Sequence, residues 1–213
     1  MIIKWLGHAT FLITTAKGKH IITDPYQPDT RLKYAAITET AEIVTVSHGH
    51  TDHANTATVV GHPQIIMGTS QAHGINFKAV ATAHDHAGGA KRGPNTIICF
   101  EADGLNICHL GDLGHALSAA EIVQIGRVDV LLMPVGGYYT IGAAEATKIY
   151  QDISPGITIP MHFANEKCLF PIAGVDEFLK DKTGVTVTGR SEVNVTKNAL
   201  PPQPTIMVLS PAK

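Results

Sequence analysis

Residues Val46 to His53 read VSHGHTDH, so three histidines and one aspartate fall within six positions of one another. Imidazole and carboxylate groups bind divalent metal ions well, and only small residues separate them here. The apolar segment 43–46 before them is typical of a buried strand. Because alternate residues of an extended segment point the same way, His48 and His50 can direct their imidazoles at one point. The sequence therefore predicts a metal site at the end of a strand.

Further candidate ligands lie directly after these histidines and at the ends of three other predicted strands. Asp52 and His53 lie where the chain is expected to turn into a helix over 54–60, and the turn can direct them at a neighbouring point. The predicted strands 80–83, 106–109 and 158–161 lead into His84 and His86, Asp112, and His162 respectively. Either His84 or His86 can reach the site, and His84 is favoured because it directly follows its strand. A ligand set of imidazoles and carboxylates without thiolate favours Zn²⁺ or a similar ion such as Mn²⁺ or Fe²⁺.

Composition limits the classes of protein that fit. A chain of 213 residues with 44% hydrophobic and 16% charged content can bury a large core, and we expect one domain over 1–213. The net charge is −2, and the Lys and Arg residues are scattered without forming a basic stripe, so nucleic acid is not an expected partner. No apolar run approaches the roughly 20 residues that span a bilayer, which predicts a cytoplasmic protein without membrane contact. A homo-oligomer is compatible with all of these features.

Short segments rich in Ile, Val and Thr recur along the chain and predict strands. These segments are 2–6, 10–14, 20–23, 43–46, 64–67, 96–100, 106–109, 130–133, 158–161 and 185–188, with a last short strand after the proline-rich stretch 200–204. Tight turns are expected at 17–19 and 102–104. Helices are predicted over 54–60, 118–125, 142–152 and 175–182, with Ser118 and Thr140 as N-terminal caps of the second and third. This order of elements predicts a layered α/β fold with helices outside the sheets.

The motifs also carry a family resemblance. HGHTDH resembles the H-x-H-x-D-H signature of the metallo-β-lactamase superfamily. The segments LGHATFLI, ITDPY, CHLGDLGH, MPVGGYYT and IPMHF resemble its branch of ascorbate-6-phosphate lactonase-like hydrolases, and the resemblance covers roughly residues 2 to 165. It implies a four-layer αββα sandwich of α+β type, with two mixed sheets and a dinuclear site between their edges. By matching positions, it assigns His48, His50 and His84 to the first metal, Asp52, His53 and His162 to the second, and Asp112 to both.

The function predicted from these residues is that of a hydrolase that uses two divalent ions, most simply Zn²⁺. Two ions about 3.5–4 Å apart lower the pKa of a bridging water to about 7, so no protein nucleophile is needed. Asp52 is expected to combine ligation with holding the resulting hydroxide. The resemblance to the lactonase-like branch implies a small anionic substrate with a lactone, ester or phosphate-ester bond, and Arg92 is compatible with this. The alternatives are an RNA or nucleotide phosphodiesterase of the same fold, and a metal-stabilised binding protein without turnover.

Four further residues are candidates for contacts around the site, each with a structural alternative. His8 can line the pocket or fill a turn. Asp24 can orient a ligand histidine through its second ring nitrogen, or can cap a turn before Pro25. Arg92, in the glycine-rich loop 87–95, can bind an anionic group of the substrate or lie in an ordinary mobile loop. The Tyr138 hydroxyl can face the cleft, or the ring can simply pack.

Overall fold

Fourteen strands and three α-helices form the computed structural model of the chain, which describes all residues from 1 to 213. The strands are β1 (Ile2–Gly7), β2 (Thr10–Thr14), β3 (His20–Thr23), β4 (Ile43–Thr45), β5 (Gln64–Ile66), β6 (Ser70–Ala72), β7 (Ile75–Ala83), β8 (Pro94–Ala102), β9 (Leu105–His109), β10 (Val130–Pro134), β11 (Ile157–Met161), β12 (Val185–Val187), β13 (Glu192–Asn194) and β14 (Thr205–Val208). The helices are α1 (Ala119–Ile125), α2 (Ala143–Ile153) and α3 (Val175–Leu179). None of the three has the length and hydropathy that a membrane-spanning helix needs.

The strands form two mixed sheets, as predicted. The first has the order β13-β1-β2-β3-β4-β5, in which β13 to β3 are antiparallel neighbours and β3 to β5 are parallel. The second has the order β12-β14-β11-β10-β9-β8-β7-β6. Its strands β6 to β9 are antiparallel, whereas β9, β10, β11, β14 and β12 run parallel. The predicted α/β class is confirmed.

The main core lies between the sheets. Trp5 and Ile21 of the first sheet belong to the same buried apolar cluster as Phe77 and Leu132 of the second. Burying such side chains removes about 25 cal/mol of unfavourable hydration free energy per Å² of apolar surface, which makes this face-to-face contact the main source of stability. The packing of the two sheets fixes the positions of the strand ends that carry the candidate ligands.

A second apolar cluster covers the opposite face of the first sheet. Ile22, next in sequence to a residue of the main core, points to this face because strand side chains alternate. It packs with Tyr26 and Tyr34 from the segment 24–42, which is irregular. The outer layer here is therefore a loop that also reaches the edge where the ligand candidates lie.

The helix predicted over 54–60 is wrong except for one turn. Only Thr56–Thr58 is helical, and that turn is a 3₁₀ helix. Four of the seven residues are β-branched, which lowers helix propensity, and Gly61 and Pro63 follow at once. Val59 alone is buried, so no apolar face stabilises a longer helix.

The helix caps give one success and one error. Ser118 caps α1 in a capping box, with its hydroxyl accepting from the Glu121 N–H and Glu121 accepting from the Ser118 N–H. Thr140 does not cap α2, because that helix begins at Ala143 with Gly142 as its N-cap. The Thr140 hydroxyl donates to the Ile141 carbonyl instead, and at the helix start the Glu145 carboxylate accepts from the Gly142 N–H at 3.2 Å.

Strand direction gathers the candidate ligands at one edge. The segments that follow β3, β4, β7, β9 and β11 carry Asp24, residues 46–53, His84, Asp112 and His162 respectively. Within each sheet these strands run in one direction, so their carboxyl ends share one edge. The turn between β1 and β2, which contains His8, lies at the same edge of the first sheet because β1 runs parallel to β3.

Candidate metal centre

Asp112 lies at the centre of the histidine cluster. Its Oδ2 atom is 3.2 Å from Nε2 of His53, 3.2 Å from Nε2 of His84 and 3.4 Å from Nε2 of His162. Nε2 of His48 is 3.9 Å away. Burial alone would raise the pKa of Asp112, but His162 and His53 outweigh it and hold that pKa well below its usual range. One carboxylate therefore lies beside four candidate ligands from three different segments of the chain.

Three groups of His and Asp side chains lie around it, and two of them are made of the remaining candidate ligands. The first contains His48, His50 and His84, and the second contains Asp52, His53, His162 and also His8. Within each group the ligand atoms lie within 4.8 Å of one another. The third group, Asp24, His48 and His53, shares one histidine with each of the others. The first two groups bring together the residues that the family resemblance assigns to each ion, with His8 added to the second, and their binding of two ions stays a prediction.

The chemistry of the cluster fits divalent metal ions. Buried polar atoms usually have a hydrogen-bond partner, yet several atoms here have none. These atoms are Nδ1 and Nε2 of His8, Nε2 of His53, Nδ1 of His84, Oδ1 of Asp112 and Nδ1 of His162. Two ligands held 2.0–2.1 Å from one tetrahedral Zn²⁺ are separated by about 3.3 Å, close to the distances around Asp112. The residues present can therefore hold such an ion with little movement.

Asp24 fixes the protonation of two of these histidines. Its Oδ2 accepts from Nδ1–H of His53 at 2.8 Å and from the Ser47 hydroxyl, while Oδ1 accepts from the Ser47 N–H at 2.7 Å. Because the Ser47 hydroxyl hydrogen is used in this way, its oxygen accepts from Nδ1–H of His48 at 2.9 Å. His48 then has an unprotonated Nε2, which is the form that binds metal. Burial alone would lower the pKa of His53, but Asp112 and Asp24 outweigh it and raise that pKa well above its usual value, so a metal ion at Nε2 of His53 would take the place of a proton.

Electrostatics supports this arrangement. Burial alone would raise the pKa of Asp24, but the neighbouring His109 and His53 outweigh it and lower that pKa. Burial, with the charge of His53 next, lowers the pKa of His48 to about 3, so His48 is neutral at pH 7. Neutral imidazole is the state required of a metal ligand.

A glycine and an asparagine position Asp112. Gly111 has φ +58, and a Cβ there would lie 2.4 Å from Oδ1 of Asn95 and 2.5 Å from Cβ of Ser47. The same Asn95 oxygen accepts from the Asp112 N–H at 2.9 Å, and the amide group donates to Leu110 O at 3.0 Å. A residue without a side chain is thus needed for Asn95 to hold the backbone that presents Asp112.

His8 is buried against Asp52. Its Nε2 lies 3.3 Å from Oδ2 of Asp52, and its backbone has φ 51. The His8 carbonyl accepts from Nε1–H of Trp5 at 3.0 Å and from the His162 N–H at 3.2 Å. Burial, with His162 next, lowers the pKa of His8 to about 4, so the ring is neutral at pH 7. One residue thus contacts Asp52 through its ring and anchors His162 through its backbone.

A cavity of about 270 Å³ opens over the cluster. It is lined by Arg31, His50, Asp52, His84, Lys91, Arg92, Asp112, Tyr139, His162 and Phe170. The Arg31 guanidinium lies 4.9 Å from the centre of the Phe170 ring, and that of Arg92 lies 5.3 Å from the centre of the Tyr139 ring. Stacking against rings orients both guanidinium groups and leaves their N–H edges for an anion.

Asp85 organises the loop that carries two of these cations. Its Oδ1 accepts from the N–H groups of Ala87 and Gly89, and its Oδ2 accepts from those of Lys91 and Arg92, at 2.7 to 3.0 Å. Burial alone would raise the pKa of Asp85, but these backbone donors outweigh it and lower that pKa to about 2. The loop is therefore folded around a carboxylate.

The model of the β-lactamase superfamily domain matches residues 2–162 of this sequence. The chain belongs to the metallo-β-lactamase superfamily. A UPF0173 metal-dependent hydrolase of Methanocaldococcus jannaschii is 30% identical over 212 residues, which cover 84% of this chain and 90% of the relative. One from Thermoplasma acidophilum is 27% identical, with 75% of this chain and 81% of the relative covered. Within the superfamily, the chain is thus a member of the UPF0173 metal-dependent hydrolase family.

A solved structure confirms the predicted fold of this superfamily member. A Thermotoga maritima protein, named as a candidate zinc-dependent hydrolase of the metallo-β-lactamase superfamily, matches with a TM-score of 0.80 and 35% identity. The match covers 98% of this chain and 97% of that one. The metallo-β-lactamase fold predicted from VSHGHTDH is therefore confirmed.

The structure separates the residues between which the sequence left a choice. His84 lies in the cluster, whereas the side chain of His86 is 69% exposed, with Nδ1 3.6 Å from Oε1 of Glu145. Tyr139 lines the cavity, and the predicted Tyr138 does not, since 66% of Tyr138 is exposed. The backbone of Tyr138 itself has φ 61. His8 is likewise absent from the cavity lining, because its ring is fully buried.

Several residues around the site were not predicted from the sequence. Ser47 and Asn95 are buried and hold candidate ligands through hydrogen bonds. Arg31 and Phe170 approach each other because the β-bridge between Leu32 and Cys168 joins two loops that are far apart in sequence. Ser47 alone had a local signal, since it directly precedes the first histidine of the signature.

Proposed function

We propose that the protein is a dinuclear hydrolase, with Zn²⁺ as the expected metal and Mn²⁺ or Fe²⁺ as alternatives. The observation that carries the proposal is that Asp112 lies within 3.9 Å of histidines from both groups of candidate ligands, His48 and His84 of the first and His53 and His162 of the second. His48, His50 and His84 would hold one ion, and Asp52, His53 and His162 would hold the other. When bound, two such ions lower the pKa of a shared water and polarise the oxygen on which negative charge develops.

Asp52 is the residue proposed to act in the reaction itself. It lines the cavity, and its side chain remains 23% exposed, unlike the buried Asp112. Burial alone would raise the pKa of Asp52, but the neighbouring His8 and His53 outweigh it and lower that pKa. Asp52 is therefore ionised at neutral pH. Its Oδ2 atom can accept a hydrogen bond from the attacking water and orient it toward the cavity.

The proposed substrate is a small anionic molecule with a lactone, ester or phosphate-ester bond. The cavity of about 270 Å³ suits a small molecule. Arg31, Lys91 and Arg92 line it together with the histidines, and the two arginines have fork-shaped donors that lie over aromatic rings. We also propose that the chain is functionally similar to the ascorbate-6-phosphate lactonase-like branch, whose motifs its sequence resembles.

Metal content is the first test. The full chain, purified without affinity-tag metal, is expected to contain two equivalents of zinc, manganese or iron by elemental mass spectrometry. Asp52→Ala and His162→Ala should abolish hydrolysis and reduce the content toward one ion. His62→Ala should change neither, because His62 is an exposed residue away from the cluster. Full activity in Asp52→Ala would exclude the proposed mechanism.

A substrate panel separates the competing functions. Lactones, carboxylic esters, phosphate monoesters and phosphodiesters are compared with the metal-loaded protein. Turnover of the small anionic lactones or esters supports the proposal. Turnover of RNA or nucleotide phosphodiesters alone would favour a phosphodiesterase of the same fold, and two bound ions without any turnover would favour a binding protein.

A further inference from the structure

Two of the three cysteines face each other on neighbouring strands. Cys99 of β8 is paired with Cys108 of β9, and their Sγ atoms lie 3.3 Å apart. Both side chains are buried, and all three cysteines are free thiols. The third, Cys168, belongs to the separate apolar cluster on the outer face of the first sheet. The pair takes no part in the metal centre described above.

The register of the hairpin brings this pair close together. In β9, the Asn106 N–H donates to the Asp129 carboxylate, the Asn106 carbonyl accepts from the Asp129 N–H, and the Leu110 N–H donates to the Leu132 carbonyl. The backbone groups of Asn106 and Leu110 therefore point away from β8. Alternate residues of a strand direct their backbone groups to the same side, so the N–H and carbonyl of Cys108 also point away from β8. Cys99 and Cys108 are therefore a non-hydrogen-bonded pair. Such pairs have Cα atoms about 4.5 Å apart, within the range that a disulfide accepts.

Both residues line a surface cavity of about 290 Å³, and Cys99 is the more exposed of the two, at 8% against 0%. Lys78 lines the same cavity, and its amino group donates to the Ile125 carbonyl at 2.8 Å. The hydrogen bond with Cys108 lowers the pKa of the Cys99 thiol and, with the charge of Lys78, outweighs the opposing effect of burial. Burial raises the pKa of Cys108. A small oxidant can therefore reach a pair in which Cys99 is the better nucleophile.

We propose that Cys99 and Cys108 form a reversible dithiol–disulfide couple, oxidised by peroxides. With hydrogen peroxide, the Cys99 thiolate attacks one oxygen, the O–O bond breaks, and the released hydroxide takes up a proton to leave as water. Cys99 is then a sulfenic acid. The Cys108 sulfur attacks the Cys99 sulfur, the S–O bond breaks, and the hydroxyl leaves with the Cys108 proton as a second water. The two sulfurs lose two electrons and the peroxide gains them.

The required movement is small, because the sulfur atoms need to approach only from 3.3 Å to about 2.05 Å. Cys168 provides the internal control for this chemistry. It has no second cysteine beside it, and burial raises its pKa to about 11. Oxidation is therefore expected to be selective for the β8–β9 pair.

The test uses the full chain as purified, first fully reduced and then exposed to increasing hydrogen peroxide. Thiols are counted after alkylation in denaturant, and cross-linked peptides are identified by mass spectrometry. We expect the count to fall from three to one, with the loss of two hydrogen atoms in mass, a Cys99–Cys108 cross-link, and full recovery with dithiothreitol. Cys168→Ser should also lose two thiols, and Cys99→Ser should form no intramolecular cross-link. Retention of all three thiols, a cross-link that includes Cys168, or equal oxidation of all three would overturn the proposal.

Discussion

Replacing Asp24 with asparagine is expected to weaken metal binding at both proposed ions without removing any ligand. The Oδ1 atom of asparagine can still accept from the Ser47 N–H, but an amide NH₂ replaces the oxygen that accepts from His53 Nδ1–H and from the Ser47 hydroxyl. The amide would donate to Nδ1 of His53, and the freed Ser47 hydroxyl would donate to Nδ1 of His48, 2.9 Å away. Both protons then move to Nε2, the ring atom that faces Asp112.

The size of the effect follows from the loss of a carboxylate behind two ligand histidines. Removing such a partner typically weakens metal binding by about 10- to 100-fold, which corresponds to roughly 1.4–2.8 kcal/mol per ion. The stability of the metal-free protein should change less than its metal affinity. Since the two histidines can change tautomer and retain their hydrogen bonds, we expect its free energy of unfolding to fall by only about 1 kcal/mol.

Both quantities can be measured on the same protein. Competition with a chromogenic chelator gives the metal dissociation constants, and urea unfolding in excess chelator gives the stability of the metal-free chain. Asp152→Asn is the matched control, because Asp152 is an exposed helix residue paired only with Lys148. Wild-type dissociation constants in folded Asp24→Asn would refute the argument that Asp24 sets the tautomers of His48 and His53.

Three further predictions follow from the geometry of the site. Gly111→Ala should lower the melting temperature far more than Gly18→Ala: both have positive φ, which alone costs about 1–2 kcal/mol, but only the Cβ at 111 meets other atoms within 4 Å. Comparable losses would refute the close-approach argument. Arg31→Ala and Arg92→Ala should raise KM for an anionic substrate by about 10-fold with kcat little changed, and equal effects on a neutral analogue would exclude anion binding. Folding lowers the pKa of Asp85 from 3.8 to about 2, so the ionised carboxylate stabilises the loop fully above pH 3.8. This stabilisation is lost as the pH falls through about 2. Hydrogen exchange of the loop amides 87–92 should accelerate over that interval, and protection that persists below pH 2 would contradict it.

The fold could be predicted wherever a segment carries its own periodic pattern. The bounds of β2 and β3 are those predicted from their apolar residues and from the turn at Gly18. β6 and β13 were missed because each has three residues with little apolar content, so their extended form depends on pairing with a neighbouring strand. Such edge strands are specified by tertiary contacts rather than by local sequence.

The candidate ligands were predictable for a similar reason. His48, His50, Asp52 and His53 lie in one short segment, and the spacing alone indicates that they can converge. The other ligand candidates follow apolar strands, so the alternation of the sheet places them at the shared edge. Their grouping into two sets in the structure agrees with the sets implied by the family resemblance. Whether each residue binds metal stays a prediction that the metal measurements test.

The residues that position the ligands could not be predicted in this way, because serine, asparagine and glycine have no distinctive chemistry until the fold brings them together. Asn95 is the clearest case: it precedes Asp112 by 17 positions, yet its side chain holds the backbone on both sides of Gly111. The same limit applies to Arg31, which reaches the cavity only because an irregular loop covers the outer face of the first sheet. Reaction type therefore depends on residues that a local motif reveals, whereas ligand geometry and substrate selection depend on contacts that exist only in the folded chain. Substitutions at Asn95 or Arg31 should consequently change metal affinity or KM while the signature residues remain intact.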